Sequence, residues 1–90
     1  MYGKKIQVKY QKDPEVDGNK VDGYFDASKF LIVVDSSLSK EQQQITLYHE
    51  CIHALMYRCG LHAILDPGME ELVCETVSQF MFDVLKYKKL

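Results

Sequence analysis

The chain has 90 residues, a formal net charge of −2, and 47% hydrophobic and 27% charged residues. That length and balance fit one globular domain with a modest core. No Lys/Arg face is large enough for a phosphate footprint, and no apolar run approaches the ~18–20 residues of a membrane span, so neither nucleic acid nor membrane is an expected partner. The three cysteines, Cys51, Cys59 and Cys74, are odd in number and form no C-x-x-C pair. This predicts reduced thiols and a cytoplasmic setting rather than a disulfide framework. Met1 to Val8 lacks the apolar core of a signal peptide, so no leader or pro-segment is expected.

Ile6, Val8 and Tyr10 alternate with Gln7 and Lys9, the period of a half-buried strand. Gln11 to Lys20 is polar, carries Asp13-Pro14 and Asp17-Gly18-Asn19, and reads as a loop. Val21 to Asp26 and Phe30 to Asp35 read as two strands joined by Ala27-Ser28-Lys29, an antiparallel hairpin. The unbroken Phe30–Val34 run predicts burial on both faces.

Ser39 with Gln42 matches a capping box, so a helix should begin near Lys40. Ile45, Tyr48, Ile52, Leu55, Met56 and Cys59 follow at helical spacing, and Gly60 is a natural stop. Leu61 to Leu65 reads as a short connection. Asp66 and Pro67 suit the entry to a last helix, with Met69, Leu72, Val73, Thr76, Val77, Phe80, Val84 and Leu85 as its apolar stripe. The Lys86-Tyr87-Lys88-Lys89 cluster reads as a solvated helix end. The expected fold is one α+β domain over residues 1–90: a small, antiparallel-rich sheet of about three strands, then two helices.

The first helix contains His49-Glu50-Cys51-Ile52-His53, an H-E-x-x-H string. Histidines four apart share one helix face and can grip one zinc ion, with the glutamate beside the open position as general base. A catalytic zinc site needs a third protein ligand. Glu71 and Glu75 share a face of the last helix, so one can ligate and the other can fix a histidine tautomer. Glu71 is assigned as ligand and Glu75 as its support; the reverse assignment stays open. Glu70 lies about 100° round the helix and reads as solvated. Cys51 reads as a small core residue, although a thiolate of Cys51 or Cys74 would suit zinc. His62 reads as exposed, with oxyanion stabilisation as its alternative, and Tyr48 and Tyr57 read as packing aromatics.

Tyr48 to Leu55, followed by Glu70 to Glu75, resembles the gluzincin-type zincin metallopeptidases. Within them the chain is similar to the small ImmA/IrrE-like proteins and to short phage-type zinc metallopeptidases. Gly23–Asp26 and Leu31–Asp35 resemble the strand pair that precedes their active-site helix, so the likeness spans roughly Val21 to Leu85. The resemblance implies a minimal zincin fold, zinc as cofactor, His49, His53 and Glu71 as ligands, Glu75 as companion and Glu50 as catalytic base. It also implies that Phe30–Asp35, through Leu31 and Val33, pairs with an extended peptide or protein substrate. Cys51 departs from the aliphatic residue common there, and the short chain leaves little protein for specificity pockets. A peptidase of narrow specificity is therefore expected. The alternatives are a non-catalytic zinc-binding regulatory module and a metal-free interaction domain.

Overall fold

A computed structural model describes residues 5–87. The elements are β1 (Gln7–Gln11), β2 (Glu15–Val16), β3 (Asn19–Lys20), β4 (Gly23–Asp26), β5 (Leu31–Asp35), α1 (Lys40–Cys59), a 3-10 turn at Leu61–Ala63, and α2 (Pro67–Tyr87). Lys88 and Lys89 of the basic cluster lie outside the described residues. The architecture is α+β, a three-stranded sheet followed by two helices. No helix among the described residues is long and apolar enough to cross a membrane.

The sheet order is β1-β5-β4. It is mixed: β1 runs parallel to β5, with Gln7 opposite Leu31, and β4 runs antiparallel to it, with Tyr24 opposite Val33. The parallel pairing needs a crossover, and residues 12–22 provide it. They are not a bare loop. β2 and β3 pair antiparallel around Asp17 and Gly18, both at positive φ, the primed two-residue turn that Asp-Gly favours.

As the central strand, β5 is the most buried element, with Ile32, Val33 and Val34 in the core. The apolar alternation of β1 does not mark a half-buried strand. Ile6, Val8 and Tyr10 are exposed, because β1 is an edge strand. Phe30 enters β5 in the left-handed region, at φ 52°. Its ring is nevertheless buried, edge-on to Phe25 at 5.6 Å and beneath the Arg58 guanidinium at 4.7 Å. These contacts offset the cost of an unusual backbone conformation.

Local chemistry sets the helix ends. Asp35 closes β5 with its Oδ1 accepting from the N–H groups of Asp13 and Ser37 and from the Ser37 hydroxyl. Ser39 caps α1 by accepting from the Gln42 N–H at 3.1 Å. Only that half of the capping box forms, because the Gln42 side chain reaches forward to Thr46. Gly60 ends α1 at φ 88°, the left-handed stop that costs glycine least. Asp66 caps α2, its Oδ2 accepting from the N–H groups of Gly68 and Met69.

α1 is the spine. On one side Ala54 joins Ile32 and Val34, with Phe25 and Leu47 packed around them. On the other, Ile52 and Met56 meet Cys74 of α2, flanked by Leu65 and Val73. Two expected features of the helices differ. Cys51, Leu55 and Cys59 face outward, not into the core. The buried line of α2 is Glu70, Cys74 and Ser78, while Leu72 and Phe80 are 60% and 67% exposed. α1 is the principal neighbour of α2, so only a narrow face of that helix is covered.

β4 approaches α1 closely at Gly23. A Cβ there would lie 2.7 Å from both the Thr46 Cγ2 and the Val33 carbonyl oxygen. Neither neighbour is the loose end of a long side chain. Gly23→Ala is therefore expected to destabilise the fold by about 1–3 kcal/mol, measured by chemical denaturation. Unchanged stability would show that β4 is not held at this distance.

Candidate metal centre

α1 and α2 pack antiparallel, which brings His53 opposite Glu70 and His49 opposite Glu75. The histidine rings are 5.0 Å apart between centroids. Glu71 lies between them. Its Oε2 is 3.1 Å from His49 Nε2 and its Oε1 is 3.2 Å from His53 Nε2. The three residues assigned as ligands from sequence are thus brought together, with both Nε2 atoms facing one carboxylate.

The other ring nitrogens face outer carboxylates. His53 Nδ1 is 2.6 Å from Glu70 Oε2, and His49 Nδ1 is 3.7 Å from Glu75 Oε1. Glu75 stands beside His49 as expected of a supporting residue, at a longer distance. Glu70 overturns its solvated assignment. It is only 5% exposed and also reaches His62 Nδ1 through Oε1 at 2.9 Å. Burial opposes its ionisation, but hydrogen bonds from His53 and His62 outweigh that and hold its pKa below the ordinary value. His62 is exposed, as expected, and is also held by Glu70 and by the Tyr57 ring at 5.9 Å.

This arrangement fits a cation. In a neutral His53 ring, a carboxylate so close to Nδ1 favours the proton there and leaves the Nε2 lone pair toward Glu71. A lone pair facing the Glu71 carboxylate is repulsive unless a proton or a metal ion lies between them. Two donor groups have ligand atoms within 4.8 Å of one another: His49, His53 and Cys74, and His49, Glu71 and Glu75. Imidazole, carboxylate and thiolate are the donors that zinc takes. Cys74, fully buried on α2, is closer to the centre than sequence reasoning placed it.

Glu50 is buried beside the histidines. Desolvation pushes its carboxyl up to about 7, with His53 pulling down and Glu71 pushing further up. It lines a cavity of about 650 Å³ together with Gly23, Tyr24, Phe25, His53 and Tyr57. A second hollow, of about 400 Å³, lies on the His49 side and shares Gly23, Glu50 and Glu71 with the first. The two form a groove along β4 that passes over Glu50 and Glu71.

Leu31 and Val33 do not border this groove, which corrects their assignment as substrate-binding residues. β5 is hydrogen-bonded on both sides, to β1 and to β4, and Val33 is 1% exposed. Among the described residues, β4 is the strand whose open edge meets the cavity. Tyr57 lines the cavity as well as packing on Phe25, whereas the Tyr48 hydroxyl accepts from Gln44. Cys51 borders a separate hollow with Ile6, Phe30, Ala54, Leu55 and Arg58.

Glu70 carried one signal in the sequence: with Cys74 and Ser78 it forms a line of helical spacing made of short or polar residues. Because Glu70 holds His53 at 2.6 Å and is buried, Glu70→Ala should weaken zinc binding about 10–100-fold in a competition titration. Glu75→Ala should cost less, since that contact is 3.7 Å and Glu75 is exposed. The opposite order would reverse the roles assigned to the two outer carboxylates. Comparison of the chain with protein-family models, with curated proteins and with solved structures finds no significant match.

Proposed function

We propose that this chain is a zinc-dependent peptidase of minimal zincin type, acting on an extended peptide segment of narrow range. One observation carries the reading. A buried carboxylate, Glu50, stands beside two imidazoles whose Nε2 atoms converge on a third donor, at the midpoint of a groove bordered by an open strand edge. His49, His53 and Glu71 would hold the metal, which supplies Lewis acidity and makes water available as a nucleophile near neutrality.

The chain's own residues supply the remaining parts. Glu50 accepts the proton of the attacking water and returns it to the leaving amine nitrogen. Glu70 fixes the His53 tautomer and raises its basicity as a ligand. The edge of β4 offers backbone N–H and C=O groups to an extended substrate, a mode that reads side chains only weakly. His62 and Tyr57 line the same cavity as Glu50, within reach of a carbonyl oxygen bound there.

A second reading, a zinc-binding module without catalysis, has its own support. α2 brings only Cys74 and Val73 to its apolar seam with α1, and the His–Glu contacts add to that docking. A metal there would staple the two helices.

Glu50→Gln separates the readings. It keeps the ligands and removes the base, so zinc content should be unchanged while cleavage of extended peptides falls at least ~100-fold. No cleavage by either protein would favour the module, and equal cleavage by both would show that Glu50 is not the base. The substitution has a second consequence in the metal-free protein. A folded value of about 7 against an ordinary 4.5 means that Glu50 contributes stability below pH ~4.5, and this is lost as pH rises to ~7. Metal-free Glu50→Gln should therefore be the more stable protein above pH ~7, by roughly 1–3 kcal/mol, and not below pH ~4.5. Thermal melts at the two pH values measure this.

A further inference from the structure

Cys74 is the one fully buried thiol; Cys51 and Cys59 are exposed. It follows Glu70 by one helical turn on the face of α2 that meets α1, packed with Ile52 and Met56. Its sulfur also belongs to a donor group. One ligand atom each from His49, His53 and Cys74 lie within 4.8 Å of one another.

We infer that Cys74 is itself a metal ligand, so that the inner donor set is His49, His53 and Cys74, with Glu71 as the exchangeable fourth. This rests on the reading that the two histidines bind metal, and it changes what kind of site they form. Two imidazoles with a thiolate make a softer set than two imidazoles with a carboxylate, favouring zinc and its softer neighbours over magnesium or calcium. Four protein donors close a tetrahedral shell, which is the resting form of a structural site. The donors differ in freedom. Cys74 is fully buried against Ile52 and Met56 and cannot withdraw without repacking the helix seam. Glu71 is 55% exposed and faces the groove. Withdrawal of Glu71 would open the position on the substrate side, and its return would close it.

The proton balance is explicit. Burial pushes the Cys74 thiol up to about 12, and Glu70, Glu71, Glu50 and Glu75 add to the shift. Without metal the thiol therefore keeps its proton. On binding, the S–H bond breaks, a sulfur–metal bond forms, and the proton passes to the buffer.

The test uses cobalt(II) as the probe and the full chain carrying Cys51→Ser and Cys59→Ser together. Both replaced residues are exposed, so the fold is undisturbed and Cys74 is the only thiol left. Titration should give a near-ultraviolet thiolate-to-cobalt charge-transfer band beside the visible bands of four-coordinate cobalt. The band should disappear in Cys74→Ser, with metal affinity falling by more than the roughly 10–100-fold that loss of an outer partner costs. Visible bands without the charge-transfer band in the double variant would overturn the inference and leave the His49–His53 site standing. No cobalt binding at all would overturn both. A Cys74→Ser chain that fails to fold would not matter, because the double variant alone decides.

Discussion

A carboxylate buried between two imidazoles orders this molecule. Removing the Glu70 charge from water is costly, and the contacts to His53 and His62 compensate it. Those contacts fix three things together. They set the rotation of α2 about its axis, they tie the 3-10 turn to the second helix, and they hold His53 with its Nε2 toward Glu71. An apolar residue at position 70 would ease the desolvation and lose all three. Glu70 shares the inward face of α2 with Cys74, while Leu72 and Phe80 lie outward.

The sheet contributes a different constraint. With β5 in the middle, both of its edges are consumed, so only β1 or β4 can offer a free edge, and it is β4 that borders the groove. β4 can form that border because residue 23 has no side chain, which lets the backbone approach Thr46 on α1. Glu50, one helical turn further along α1, then sits at the floor between strand and helix. The groove therefore depends on three elements that are not adjacent in sequence.

What was legible in the sequence was local. Ser39 and Gly60 bound α1 because capping and left-handed stops act over a few residues. His49, Glu50 and His53 share a face because helix periodicity requires it, and Glu71 and Glu75 follow from the same four-residue spacing. The features that were not legible are tertiary. The register of Gln7 against Leu31 joins residues far apart in the chain, and nothing nearby reveals that β1 rather than β4 takes the parallel side of β5. Glu70 reads as solvated from its place about 100° round the helix from Glu71, and only the tertiary pairing with His53 and His62 turns it inward. The distance of Cys74 from the histidines depends on the same rotation of α2. Asp17-Gly18 did carry a hairpin signal, but strands of two residues are too short to show a period.

The free edge of β4 also bears on how the protein behaves in company. An open strand edge invites pairing with any extended chain, including another copy of the same molecule. Here the edge is only four residues long and is flanked by Asp22 on one side and ends in Asp26 on the other. Two such strands brought together would gain only a four-residue ladder with acids at its ends and no Lys or Arg in β4 to pair with them. Shortness and end charge thus guard against edge-to-edge growth while leaving the central backbone groups open. The opposite edge, β1, is longer and carries exposed Val8 and Tyr10, and its protection falls to Lys9. Loss of that lysine's charge would remove the guard where the sheet is most apolar and least covered.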